Sequence, residues 1–129
     1  MAISVSKAGG RTLRTILVIE DHLATLETIC LILKREGYNA LCAQNAQQAQ
    51  GHFFGSEVDL VIVDHGLPGI TGADLAKALK KVKEVQIMML SGNSDLLEKP
   101  ESVDVLLPKP IPVPILLEEI KNLIERSPA

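Results

Sequence analysis

Three runs of four bulky apolar residues, Ile16 to Ile19, Leu60 to Val63 and Ile87 to Leu90, each give way at once to a polar residue. None of them alternates apolar with polar, so both faces of each run must be buried. That is the pattern of strands in the middle of a parallel sheet with helices on both sides. Apolar residues make up 47% of the chain and aromatics only 2%, so the interior must be filled with Val, Ile, Leu and Ala.

Between the runs the period changes to that of a helix. Leu23, Leu26, Cys30 and Leu33 form one stripe, with Gly37 as its left-handed stop and Tyr38 packing behind it. Leu75, Leu79 and Val82 form another, and Ala46 to Phe54 and Val113 to Glu125 are predicted as helices. Pro112 and Pro114 suit the first turn of the last helix, where a missing N–H costs little. Asn39 to Ala43 and Val103 to Leu107 complete a set of five strands. Strict alternation of strand and helix demands a parallel sheet with right-handed crossovers, hence an α/β, doubly wound five-stranded fold. In such sheets ligands gather beyond the carboxyl ends of the strands, so function is to be sought in the residues that follow each apolar run.

With 129 residues the chain suits one domain, and no appended effector is expected within it. Residues 1–13 are expected to be a flexible leader, 14–126 the folded domain and 127–129 a tail. The net charge of -3 and the lack of a Lys/Arg cluster argue against direct contact with nucleic acid. No apolar run is long enough to span a membrane and the first residues lack a signal-peptide core, so a cytoplasmic location is expected. Cys30 and Cys42 have no metal-ligand spacing and are read as two small buried hydrophobes in a reducing compartment.

Glu20 and Asp21 follow the first run, Asp64 the second and Ser91 the third, and Lys109 lies in Pro108-Lys109-Pro110 after the last strand. Taken singly, most of these have an ordinary explanation: a loop acid and a helix cap, a turn, a surface lysine. Asp64 is harder to dismiss, because it ends a buried aliphatic run where a lone carboxylate is costly. Taken together, the topology gathers all five at one edge. Three carboxylates about 5 Å apart repel by roughly 3 kcal/mol per pair at an effective dielectric of 20. A hard divalent cation relieves that repulsion, and an all-oxygen site points to Mg²⁺.

The segments VIEDH, VIVDHGLPGITG, MMLSG and LPKP, in this order and at these intervals, resemble the receiver domains of bacterial response regulators, the CheY-like family. The resemblance covers residues 14 to 126, and Pro68 and Gly72 stand where the motif around Asp64 places them. It implies a flavodoxin-like sheet with strand order 2-1-3-4-5. It also implies a two-component signalling role, in which Asp64 takes a phosphoryl group from a histidine kinase or histidine phosphotransfer protein and the change is passed to a downstream protein target. Glu20, Asp21, Asp64 and the backbone carbonyl of Gly66 would hold Mg²⁺, while Ser91 and Lys109 would contact the phosphoryl oxygens. The Lys109-Pro110 peptide would be cis, and hydrolysis in place, past Gly66 and Asn93, would make a self-limiting switch rather than a turnover enzyme.

The chain departs from the family in two places. The aromatic position three residues before the lysine is Leu106, and the short interval from Ser91 to Lys109, broken by Pro100, predicts a shortened fourth helix between Asn93 and Lys99. An unphosphorylated pseudo-receiver used only for protein interaction is therefore one alternative. An aspartyl-phosphate phosphatase is another, although Gly66 stands where its second acid is needed. No GxxxxGK[ST] or GxGxxG supports a nucleotide or flavin carrier. His22, His65 and His52 are read as spectators.

Overall fold

The computed structural model describes residues 13–92 and 98–126. In chain order it contains β1 (Thr15–Ile19), α1 (Leu23–Arg35), β2 (Asn39–Ala43), α2 (Ala46–Gly55), β3 (Leu60–Asp64), α3 (Gly72–Val82), β4 (Gln86–Ser91), β5 (Val105–Pro108) and α4 (Val113–Arg126). The five strands form one sheet in the order β2-β1-β3-β4-β5, and every pairing is parallel. This is the doubly wound order that the resemblance implied, with its reversal point between β1 and β3.

The unbroken apolar runs are explained by two cores, one on each face of the sheet. Leu17, Ile19, Val61, Val63, Ile87 and Met89 face one way and pack with Phe53 of α2 and with Leu75 and Leu79 of α3. Their neighbours Ile16, Val18, Leu60, Ile62, Met88 and Leu90 face the other way, against Leu26, Ile29, Cys30 and Leu33 of α1 and Leu116, Ile120, Leu123 and Ile124 of α4. Alternate residues thus serve opposite layers, and each fully buried aliphatic side chain contributes about 2 kcal/mol. Among the described residues no helix is long and apolar enough to cross a membrane.

The helix stripes fit with two exceptions at helix ends. Leu23 opens α1 and Val82 closes α3, and both are about half exposed; Ile29 is buried on α1 beside Leu26, Cys30 and Leu33. Gly37 does stop α1. Its φ is +94°, its N–H donates to the Lys34 carbonyl, and the Tyr38 N–H donates to the Leu33 carbonyl. The fifth strand begins two residues later than expected: the Val103 N–H donates to the Pro100 carbonyl in a turn, and Asp104 uses its side chain to accept the Ile87 N–H at 2.7 Å. Most of the expected fourth helix falls on 93–97, outside the described residues, and 98–104 is turn, bend and irregular backbone.

The cysteines correct the sequence reading. Cys30 on α1 and Cys42 on β2 are joined by a disulfide, with Cα atoms 6.8 Å apart. One stripe position and one strand position twelve residues later meet only because α1 folds back onto the edge strand, which spacing alone does not reveal.

Candidate functional site

The carboxyl edge of the sheet is assembled by strand register. Asp64 is the last residue of β3 and pairs with Leu90, so Ser91 stands one residue further along β4. Ser91 in turn pairs with Pro108, and the Lys109 N–H donates to the Ser91 carbonyl at 2.8 Å. On the other side of β3, the Glu20 N–H donates to the Ala43 carbonyl of β2 at 3.0 Å, fixing the residue that follows β1. All five residues singled out by sequence therefore stand at one edge. Glu20, Asp64 and Ser91 are buried, Asp21 is exposed and Lys109 is half-buried.

Carboxylate oxygens of Glu20, Asp21 and Asp64 lie within 4.8 Å of one another. Lys109 answers two of them, its Nζ lying 2.5 Å from Asp64 Oδ1 and 3.1 Å from Glu20 Oε1. Backbone donors take further oxygens: the Gly66 N–H donates to Asp64 Oδ2 at 3.1 Å and the His22 N–H to Glu20 Oε2 at 3.1 Å. Partial burial draws the Lys109 pKa down, but hydrogen bonds to Asp64 and Glu20 and the charge of both acids outweigh it and hold the ammonium above its ordinary range. Three acids facing one ammonium leave the pocket negative. Its all-oxygen donor set fits a hard divalent cation better than a soft one.

Gly72 explains why the Asp64 segment needs glycine. A Cβ there would lie 2.5 Å from the Asp64 carbonyl oxygen and 3.1 Å from the Met89 methyl, so only glycine lets α3 start flush behind the aspartate. The Gly72 N–H donates to the His65 carbonyl, and the Thr71 side chain caps α3 by accepting the Asp74 N–H. The Lys109-Pro110 peptide is cis, as the resemblance implied.

The structure also assigns roles that the sequence did not disclose. His22, not Asp21, is the N-cap of α1: its side chain accepts the Thr25 N–H, which leaves the Asp21 carboxylate out of the cap. His52 has a structural contact that the sequence did not disclose: its Nε2–H donates to the Cys42 carbonyl at 3.1 Å. The pairing of Lys109 with Glu20, 89 residues apart, has no local signal at all. Leu106 is half-buried and packs against the α2/α3 core. Asn93 lies outside the described residues.

Comparison with known proteins places this edge in a family, because the model of the response regulator receiver domain matches residues 16–125. The chain belongs to that family. It is a receiver domain of two-component response regulators, with a CheY-like fold. The transcriptional regulatory protein AruR of Pseudomonas aeruginosa is 33% identical over 120 residues, covering 86% of this chain and 49% of the relative. The chain spans about half the length of the curated relatives it matches. Among solved structures, a receiver domain from Clostridium thermocellum superposes with a TM-score of 0.82 at 30% identity, covering 88% of this chain and 96% of that one. The response regulator TrrA of Thermotoga maritima, solved in complex with Mg²⁺-BeF, gives 0.80 at 31% identity, covering 86% and 99%.

Proposed function

We propose that this receiver domain accepts a phosphoryl group on Asp64 from the phosphohistidine of a histidine kinase or histidine phosphotransfer protein, and thereby changes its affinity for a downstream protein target. One observation carries the reading: a buried strand-end aspartate lies in ion-pair contact with Lys109 while two further acids crowd within 4.8 Å. A structural carboxylate would not be surrounded by its own kind. The similarity to TrrA, solved with Mg²⁺-BeF, supports the same choice of ion.

Glu20, Asp21 and Asp64, joined by the Gly66 carbonyl, would hold Mg²⁺, which when bound offsets the charge of the incoming phosphoryl group. Asp64 is the nucleophile: one of its carboxylate oxygens forms a bond to phosphorus as the donor's phosphorus–nitrogen bond breaks, and the imidazole nitrogen keeps the electron pair and takes up a proton. Lys109, now shared by Asp64 and Glu20, would pair with a phosphoryl oxygen as a point charge. The Ser91 hydroxyl donates to another. Gly66 presents no side chain to water approaching the acyl phosphate, so the modified state decays in place.

Incubation with Mg²⁺ and acetyl phosphate, followed by intact-mass measurement, tests this. A single phosphoryl adduct on the wild type, absent from Asp64→Asn and from samples treated with a chelator, is the expected result. No adduct on the wild type selects a pseudo-receiver that acts only through protein contact. Steady release of phosphate from many esters selects a phosphatase.

A further inference from the structure

The Cys30–Cys42 disulfide lies outside the acid pocket, yet it ties together the two elements that hold the pocket's first two acids. Glu20 and Asp21 form the link between β1 and the N-cap of α1, His22. On one side Glu20 is fixed by its N–H bond to the carbonyl of Ala43, the residue next to Cys42 on β2. On the other side the link runs into α1, which carries Cys30 two turns further on, on its buried stripe. Cys42 pairs with Val18 in β1, and its own carbonyl accepts the His52 N–H, so the strand end is anchored from α2 as well. A covalent bond between α1 and β2 therefore closes a frame around the Glu20–Asp21 link.

We infer that Cys30 and Cys42 form a reversible thiol–disulfide pair that sets the cation affinity of the acid pocket, the oxidised form binding the cation more tightly. The inference rests on the proposed cation site. Its chemistry is two-electron exchange with a low-molecular-weight disulfide. Cys42 is half-buried on the edge strand and Cys30 is only 3% exposed, so Cys42 reacts first. Its thiolate attacks one sulfur of the small disulfide and releases one small thiol; the Cys30 thiolate then attacks the Cys42 sulfur, forming the protein bond and releasing the second. The two cysteine protons leave with the two small thiols, and a dithiol reverses the sequence. Tightening follows because a framed link presents Glu20 and Asp21 in one arrangement, so less ordering remains to be done when the ion binds.

The test compares the oxidised and reduced wild type, prepared in glutathione-disulfide and dithiothreitol buffers, by intact mass, Mg²⁺ calorimetry and amide hydrogen exchange. The oxidised form should be two hydrogen atoms lighter, bind Mg²⁺ about fivefold or more tightly, and exchange the Glu20 N–H more slowly. Cys42→Ala should behave as the reduced form in both buffers. A wild type that never loses the two hydrogen atoms overturns the inference, as does equal Mg²⁺ affinity in the two states. Should neither form bind Mg²⁺, the cation reading fails by itself. The Glu20 exchange rate then decides the redox coupling alone, and equal rates in the two states overturn it.

Discussion

Asp59 and Asp64 stand at opposite ends of the same strand and are equally buried, yet their surroundings differ in kind. Asp59 precedes β3, accepts the Thr15 N–H at 2.8 Å and pairs with Arg14 at 3.5 Å. Asp104, at the same edge, is held likewise by the Ile87 N–H and by Lys80 at 2.8 Å. Each of these acids at the amino edge has a backbone donor and a cation beside it. At the carboxyl edge three acids crowd within 4.8 Å of one another, and Lys109 pairs with only two of them, Asp64 and Glu20. Burial of a carboxylate is therefore no sign of chemistry by itself. What separates a structural acid from a reactive one is whether its neighbours complete its charge or add to it.

Exchanging the two aspartates for neutral residues breaks or sharpens that contrast. Asp64→Asn should lose the phosphoryl adduct entirely while unfolding within about 1 kcal/mol of the wild type, because the lost Lys109 pair is offset by relief from Glu20 and Asp21. Asp59→Ala should do the reverse. It leaves the Thr15 N–H without its side-chain acceptor, at a cost of about 2–3 kcal/mol in urea denaturation, with the adduct still formed on Asp64. If both variants lost stability equally, the distinction between the two edges would fail.

Gly72→Ala tests how closely the site depends on packing behind it. The added methyl would meet the Asp64 carbonyl at 2.5 Å, so the start of α3 must shift, costing about 1–3 kcal/mol and slowing adduct formation. Gly66→Arg is the opposite case, since a Cβ there meets only Asp64 Oδ2 at 3.8 Å, an ordinary contact. Its stability should stay within about 0.5 kcal/mol of the wild type, while the lifetime of the phosphorylated form changes. An unchanged lifetime would remove Gly66 from the path of water.

The smallest effect is expected in alkali. Lys109 holds its proton more tightly folded than unfolded, so its contribution is complete below the unfolded value, about pH 10.4, and is lost as pH rises through the folded value. Tyr38 acts in the same sense: burial first, then Glu36 and Glu125, raise its pKa, so its stabilising share is complete below about pH 10 and fades above. Melting temperature should accordingly fall above about pH 10, and Lys109→Met should flatten that limb. A slope unaltered in the variant would show that Lys109 gains nothing from its two acids.

The sequence by itself determined the layers and the edge. Continuous apolar runs such as Leu60 to Val63 tolerate only a two-faced burial, strand–helix alternation demands a parallel sheet with right-handed crossovers, and the residue after each run must then reach the carboxyl edge, while the strand order came from the family resemblance. Glu20, Asp21, Asp64, Ser91 and Lys109 were legible for that reason, each through its place in a local pattern. Only the tertiary structure decided who touches whom: Lys109 with Glu20, Cys30 with Cys42, Gly72 against the Asp64 carbonyl, and a histidine rather than an aspartate capping α1. Local patterns fix which face of an element is buried. Contacts between elements depend on register and approach distance, which are set by packing all the layers at once.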